Sequence, residues 1–152
     1  MKSSEIPPNA LGPPMIGALL RQPWEAVQEH MIRRLHANGF ADFDPAYLIV
    51  VQYPGPQGER PSDLAARLRM SKQALNHLLG QLEHLGYLKR QPDPEDKRSK
   101  RITLTTRGTK AATTIREAVA EIEETWTRQH GPTRFNQLRT LLRDLGETNQ
   151  PT

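Results

Sequence analysis

The run PSDLAARLRMSKQALNHLLGQLEHLGYLKRQPDPEDKRSKRITLTT, residues 61–106, decides the fold. It opens on a proline suited to the first turn of a helix, where its missing N–H goes unneeded. Asp63 follows near that helix's N-terminus, where the helix dipole favours an acid. Leu64, Ala65 and Leu68 form the buried side. Ser71 then reads as the N-cap of a longer helix with an apolar stripe of Leu75, Leu78, Leu79, Leu82 and Leu85, and Gly86 ends it. Beyond Gly86 the period changes. Residues 87–91 read as a strand, 92–99 as a polar turn, and 101–105 as a return strand with Ile102 and Leu104 inward. Two helices, a tight turn and a hairpin make a winged helix-turn-helix.

The flanks are helical. Ile16, Leu20, Trp24, Val27, Met31 and Leu35 recur at three- and four-residue spacing, which predicts a helix from about Pro14 to Ala37. Pro23 is expected to kink or restart it. Asp44 followed by Pro45 starts a short apolar helix that ends before Pro54, and residues 54–58 form a loop rich in breakers. Thr105 or Thr106 caps a long helix to about His130, with a seam of Ala111, Ile115, Ala118, Ile122 and Trp126. Gly131 and Pro132 break it, and Phe135, Leu138, Leu141, Leu142 and Leu145 mark a last helix. The predicted fold class is mainly α with a small β-hairpin wing. Residues 1–12 read as a flexible tail, 13–147 as one domain, and 148–152 as a frayed end. Within the domain, 44–106 is the winged helix-turn-helix, and 14–38 and 107–146 flank it.

Composition narrows the function. The chain has no cysteine, which removes disulfides, thiolate metal ligands and thiol nucleophiles together. No apolar run is long enough to span a membrane, and no apolar segment follows Lys2, so a cytoplasmic protein is expected. The net charge of +4 is uneven: residues 67–107 hold ten Lys/Arg against four acids, while the rest of the chain is slightly acidic. A basic block on a near-neutral body suits a polyanion, although a solvated basic face is the plain alternative.

A major groove about 12 Å wide admits one α-helix, whose N-terminal side chains reach base edges. In the second helix of the motif those side chains are Ser71, Lys72, Gln73, Asn76 and His77. Asn and Gln can pair bidentately with adenine, and Lys can reach guanine or a phosphate. The hairpin tip carries Asp96, Lys97, Arg98 and Lys100, with Arg101 beside them. A basic tip of this kind can enter the narrow minor groove, and a bidentate pair from Asp96 could steady Arg98. Phosphate contacts are expected from Lys72, Lys89, Lys100 and Arg107.

Five short motifs in order sharpen this reading. They are Ser62 to Ala65; Met70 to Leu75; Leu82 and Glu83 with Gly86, Tyr87, Leu88 and Arg90; Asp93 and Pro94 with Asp96, Lys97 and Arg98; and Leu104 and Thr105 with Gly108. Together they resemble the MarR family of bacterial transcriptional regulators. The likeness covers about residues 14–145. It implies a homodimer held by the first and the last two helices, with Leu20, Ile115, Ile122, Trp126, Leu138 and Leu142 as dimerisation residues. It implies a recognition helix over 71–85, a wing over 88–105, and Arg98 as the minor-groove finger. It also implies a small aromatic or anionic effector, for which Trp24, Arg34 and Trp126 are candidate contacts; packing on helical stripes is the plainer reading of both tryptophans. One departure is Arg60, where the family often has Thr or Ser; it leaves a cap in question and offers a phosphate contact instead. The absence of cysteine sets aside the peroxide-sensing branch.

The function expected is a sequence-specific, double-stranded DNA-binding transcriptional regulator. It would be a dimeric repressor on a pseudo-palindromic operator, released by an effector. The alternative is a winged-helix module for protein or RNA. The five histidines show no metal-ligand spacing, and no serine sits in a nucleophile elbow, so neither a metal, a cofactor nor an enzyme is expected.

Overall fold

The structure is a computed structural model that describes residues 13–148. The expected tail over residues 1–12 lies outside the described residues, as do residues 149–152. The order is α1 (Ile16–Ala37), a 3-10 turn (Pro45–Tyr47) running into α2 (Leu48–Val51), α3 (Pro61–Leu68), α4 (Lys72–His84), β1 (Leu88–Pro92), β2 (Lys100–Leu104), α5 (Thr106–His130) and α6 (Pro132–Thr148). The class is the expected one: helices and one antiparallel hairpin. Among the described residues no helix is long and apolar enough to cross a membrane.

α1 passes through Pro23 as one helix, so the expected restart does not occur. The residues around Pro23 are exposed, so water can satisfy the carbonyl that the proline nitrogen cannot. Its apolar stripe divides in two. Met31 and Leu35 are buried, whereas Ile16, Leu20 and Trp24 are exposed. At the second helical entry Asp44 Oδ1 accepts from Ala46 N at 2.8 Å, the cap its sequence announces. Ser71 Oγ does the same for Ala74 N at 3.1 Å and starts α4.

The turn from α3 to α4 contains Arg69 at φ 53°, ψ 39°. This left-handed conformation costs a non-glycine residue roughly 1–2 kcal/mol. It is stabilised here by Arg69 N and Met70 N bonding back to Ala66 O (3.2 Å) and Ala65 O (3.0 Å).

The hairpin pairs Leu88 with Leu104 and Pro92 with Lys100. Both strands sit one residue away from their expected spans. Tyr87 is instead a fully buried anchor whose carbonyl accepts from Thr105 N at 3.1 Å. Pro92 falls at the strand end, where its missing N–H breaks no ladder. A bridge at Glu59, just past the 54–58 loop, widens the sheet: Glu59 N donates to Ile102 O at 3.0 Å, and Ile102 N to Glu59 O at 2.8 Å. Gly58 beside it has φ +72°, and a Cβ there would lie 2.7 Å from Ile102 O.

Phe43, Tyr47, Leu64, Leu75, Leu79, Leu82, Tyr87, Ile102 and Ile115 fill one core between the two halves. Phe43 and Tyr87 meet edge to face at 5.2 Å. This places Ile115 differently from the sequence reading. At 1% exposure it packs inside its own chain, where α5 lies on α1, and has no surface to give a partner.

Thr105 caps α5, accepting from Gly108 N at 3.0 Å. Gly131, at φ +83°, ends α5. The last helix then starts at Pro132 and runs to Thr148, so it begins earlier and ends later than the stripe at 135–145 suggested, and Thr148 is helical rather than frayed.

Candidate nucleic-acid interface

α4 buries Leu75, Leu79 and Leu82 against the core, and this turns its other face outward. Ser71, Lys72, Gln73, Asn76 and His77 are all exposed on its first two turns. Ser71 doubles as the cap. Lys72 and Asn76 line a groove of about 360 Å³ that also takes in Arg60, Arg90, Ser99 and Lys100. Thus the start of α4 and the root of the wing open onto one side of the molecule, and that side is basic. Arg90 ties the wing to the last turn of α4 by an ion pair to Glu83 at 3.0 Å.

The wing tip is closed by its own polar groups. Asp93 N donates to Ser99 O, and Ser99 N to Asp96 O, both at 3.0 Å. Asp96 Oδ1 accepts from the backbone N of Arg98 at 3.0 Å. This corrects the expected Asp96–Arg98 ion pair: the carboxylate holds the backbone of Arg98 and leaves its guanidinium outside. The side chains of Lys97, Arg98 and Lys100 are exposed and make no ion pair or hydrogen bond within the described residues.

At the base of the tip Asp93 has no exposed side-chain surface. Arg60 Nε donates to its Oδ2 at 2.6 Å, Arg101 Nε lies 3.2 Å from its Oδ1, and Glu95 N donates to Oδ1 at 2.9 Å. These partners, Arg60 foremost, hold the carboxyl far below the usual range. A buried charge without partners would be strongly destabilising. Arg60 is therefore committed to Asp93, and to Glu95 at 3.7 Å, rather than free for a phosphate. Its side chain caps nothing on α3.

A model of the MarR family matches residues 57–99, which span α3, the turn, α4 and most of the wing. Over that segment the winged helix-turn-helix of this chain is similar to that of the MarR family. A curated relative, an uncharacterised HTH-type transcriptional regulator named YkoM from Bacillus subtilis, is 33% identical over 85 residues; the match spans 56% of this chain and 54% of that one. The chain thus matches about half the length of that relative. Among solved structures, FabT of Streptococcus pneumoniae in complex with DNA superposes with a TM-score of 0.75 at 18% identity, covering 88% of this chain and 94% of that one. MepR of S. aureus in a DNA complex gives 0.71 at 22%, covering 90% and 99%. These likenesses show that the fold, flanking helices included, is shared with those structures.

Within this fold the remaining candidates fall as follows. Leu20 (43% exposed), Leu138 (46%) and Leu142 (41%) lie on the outer faces of α1 and α6, while Ile122 and Trp126 are half-buried on α5. Trp126 meets Phe135 of α6 at 6.4 Å. Trp24 lines a cavity of about 420 Å³ with Pro45, Ile49 and Tyr53. Arg34 pairs with Glu121 of α5 at 3.1 Å. The three effector candidates therefore have three different surroundings within one chain. Arg107, expected at a phosphate, instead donates to Asp42 at 2.8 Å and 3.0 Å and to Leu85 O. Sequence reasoning gave Asp93 and Asp42 no role of their own. The signal for Asp93 was local: an Asp before Pro94, whose side chain caps the N–H two residues on, is an Asx turn. Asp42 left no such trace.

Proposed function

We propose that the chain is a sequence-specific DNA-binding transcriptional regulator that acts as a homodimer on a pseudo-palindromic operator. The observation that carries the reading is the shared face: exposed Lys72, Gln73, Asn76 and His77 at the start of α4, beside a closed wing that leaves Lys97, Arg98 and Lys100 without partners among the described residues. A helix start with amide side chains suits major-groove edges, and a rigid basic finger suits the minor groove alongside. DNA-bound neighbours of the same fold support it. The exposed leucines of α1 and α6 support pairing of two chains, since such apolar stripes call for cover. A dimer would set two recognition helices about 34–36 Å apart, one DNA turn. In this reading the protein works in the cytoplasm as a repressor, released by a small aromatic or anionic effector, for which the cavity beside Trp24 is the candidate place.

The test is a fluorescence-anisotropy competition between an inverted-repeat duplex, random duplex and single-stranded RNA, with Arg98→Ala beside wild type. The inverted repeat should win, and Arg98→Ala should weaken binding about tenfold or more with the dimer intact, a loss of about 1.4 kcal/mol. Equal competition by RNA, or unchanged affinity of the variant, would sink the reading.

A further inference from the structure

The C-terminal end of the recognition helix is moored to the corner after α1 by three side chains outside the recognition face. Asp42 sits in the connection between α1 and the 3-10 turn. Tyr87, just past α4, donates its hydroxyl to Asp42 Oδ1 at 2.5 Å. Arg107, in the first turn of α5, brings Nη2 to 2.8 Å and 3.0 Å from the two Asp42 oxygens. The same guanidinium donates through Nη1 to Leu85 O at 2.5 Å and lies 4.4 Å over the Tyr87 ring. Leu85 is the C-cap of α4, so a cation there meets a carbonyl end that the helix leaves unpaired.

An exposed ion pair by itself holds little, because two flexible side chains must be immobilised together. This one differs in geometry. The Tyr87 ring beneath Arg107 is fully buried and fixed, and the planar guanidinium is pre-organised on it. Burial acts to raise the Asp42 carboxyl, but the hydrogen bonds from Tyr87 and Arg107 outweigh it and keep it ionised below its ordinary value. One guanidinium thus joins the α1 corner, the end of α4 and the start of α5.

The lever is long. α4 has 13 residues, so its base-facing end stands about 20 Å from the mooring. A tilt of about 5° there would carry Lys72 and Gln73 by about 1.7 Å, more than a hydrogen bond of about 2.7–3.2 Å tolerates.

We infer that Asp42 is a positioning residue for DNA recognition: by orienting Arg107 and Tyr87 it fixes the pitch of α4 on the helices that flank it, and so the spacing of half-sites that the dimer accepts. This rests on the DNA-binding reading above. The test uses an inverted-repeat duplex that the wild-type protein selects from a random pool, remade with one or two base pairs added or removed between the half-sites. Wild type should lose about tenfold or more on each altered spacing. Asp42→Asn should bind the original spacing about tenfold more weakly and discriminate among spacings by less than about threefold. Tyr87→Phe, which keeps the ring and loses the hydroxyl, should fall between. A loss from Asp42→Asn that is equal at every spacing would mark a purely structural residue and overturn the inference, as would an unchanged profile. If Asp42→Asn does not fold by circular dichroism, Tyr87→Phe decides: a flattened profile supports the inference and a wild-type profile overturns it. Failure of wild type to select any inverted repeat would instead overturn the DNA-binding reading itself.

Discussion

Replacing Gly108 by alanine should destabilise the protein, although alanine is the better helix former. A Cβ at residue 108 would stand 1.8 Å from Tyr87 O, 2.9 Å from Tyr87 C and 3.3 Å from Leu104 Cδ2. Ordinary contact needs nearly twice the first of these distances, so the start of α5 and the Tyr87 carbonyl must part by about 1.7 Å, given van der Waals separations of about 3.5 Å. That carbonyl accepts from Thr105 N at 3.1 Å, and Thr105 Oγ1 caps Gly108 N at 3.0 Å while donating to Gly86 O. Loss of one backbone hydrogen bond costs about 0.5–1.5 kcal/mol, and loss of a cap about 1 kcal/mol. Residual strain of about 1 kcal/mol remains if the parting is incomplete. Against this stands a helix-propensity gain of about 1 kcal/mol. The balance is a loss of about 1–3 kcal/mol. Urea unfolding at fixed protein concentration measures it as a lower midpoint. The matched control is Gly80→Ala in α4, where a Cβ would meet nothing within 4 Å; it should gain about 0.5–1 kcal/mol. A Gly108→Ala midpoint at or above wild type would refute the reasoning, because propensity would then have won over the close approach.

Three further outcomes follow from the same geometry. Asp93 has a folded-state pKa far below its ordinary 3.8, so its stabilisation is present above about pH 4 and is lost as pH falls below that value. Asp93→Asn should therefore be less stable than wild type at pH 7, and the two urea midpoints should converge toward pH 2; parallel pH curves would rule this out. Asn76→Ala should cost about 1–3 kcal/mol on selected duplex and little on random duplex, as base readout requires, whereas equal losses would make Asn76 a backbone contact. Leu138→Lys together with Leu142→Lys should give a monomer by light scattering at micromolar concentration, since charges would then sit in the proposed apolar seam; a dimer of wild-type strength would exclude that surface.

The fold was legible wherever one local rule governed. Leucine spacing placed α4, the Ser71 and Asp44 caps placed two helix starts, and alternation around Ile102 placed the wing. The misses came where tertiary contact overrode local chemistry. Pro23 could have restarted the first helix, but α1 runs through it, with solvent around the carbonyl that the proline leaves unpaired. Ile115 shares a helical seam with Ile122 and Trp126, and periodicity cannot tell which part of a seam faces the chain's own core. For the candidate site, residue type pointed to Lys72, Gln73, Asn76 and Arg98. It could not reveal that Arg60 and Arg107 are engaged, because their carboxylate partners are 33 and 65 residues away in sequence.

The buried Asp93 has a consequence for how the wing meets a partner. A charged loop that stayed loose would lose its conformational freedom at the moment of contact, at about 1–2 kcal/mol for each residue ordered. Here the loop from Asp93 to Ser99 is already closed around one carboxylate, so that loss falls on folding and not on association. The backbone that carries Arg98 is held in place, and its guanidinium is left outside for a partner. Its substitution and that of Asp93 should consequently act on different rate constants: Arg98→Ala on dissociation, through a lost contact, and Asp93→Asn mainly on productive association, through an arm that must find its shape after encounter.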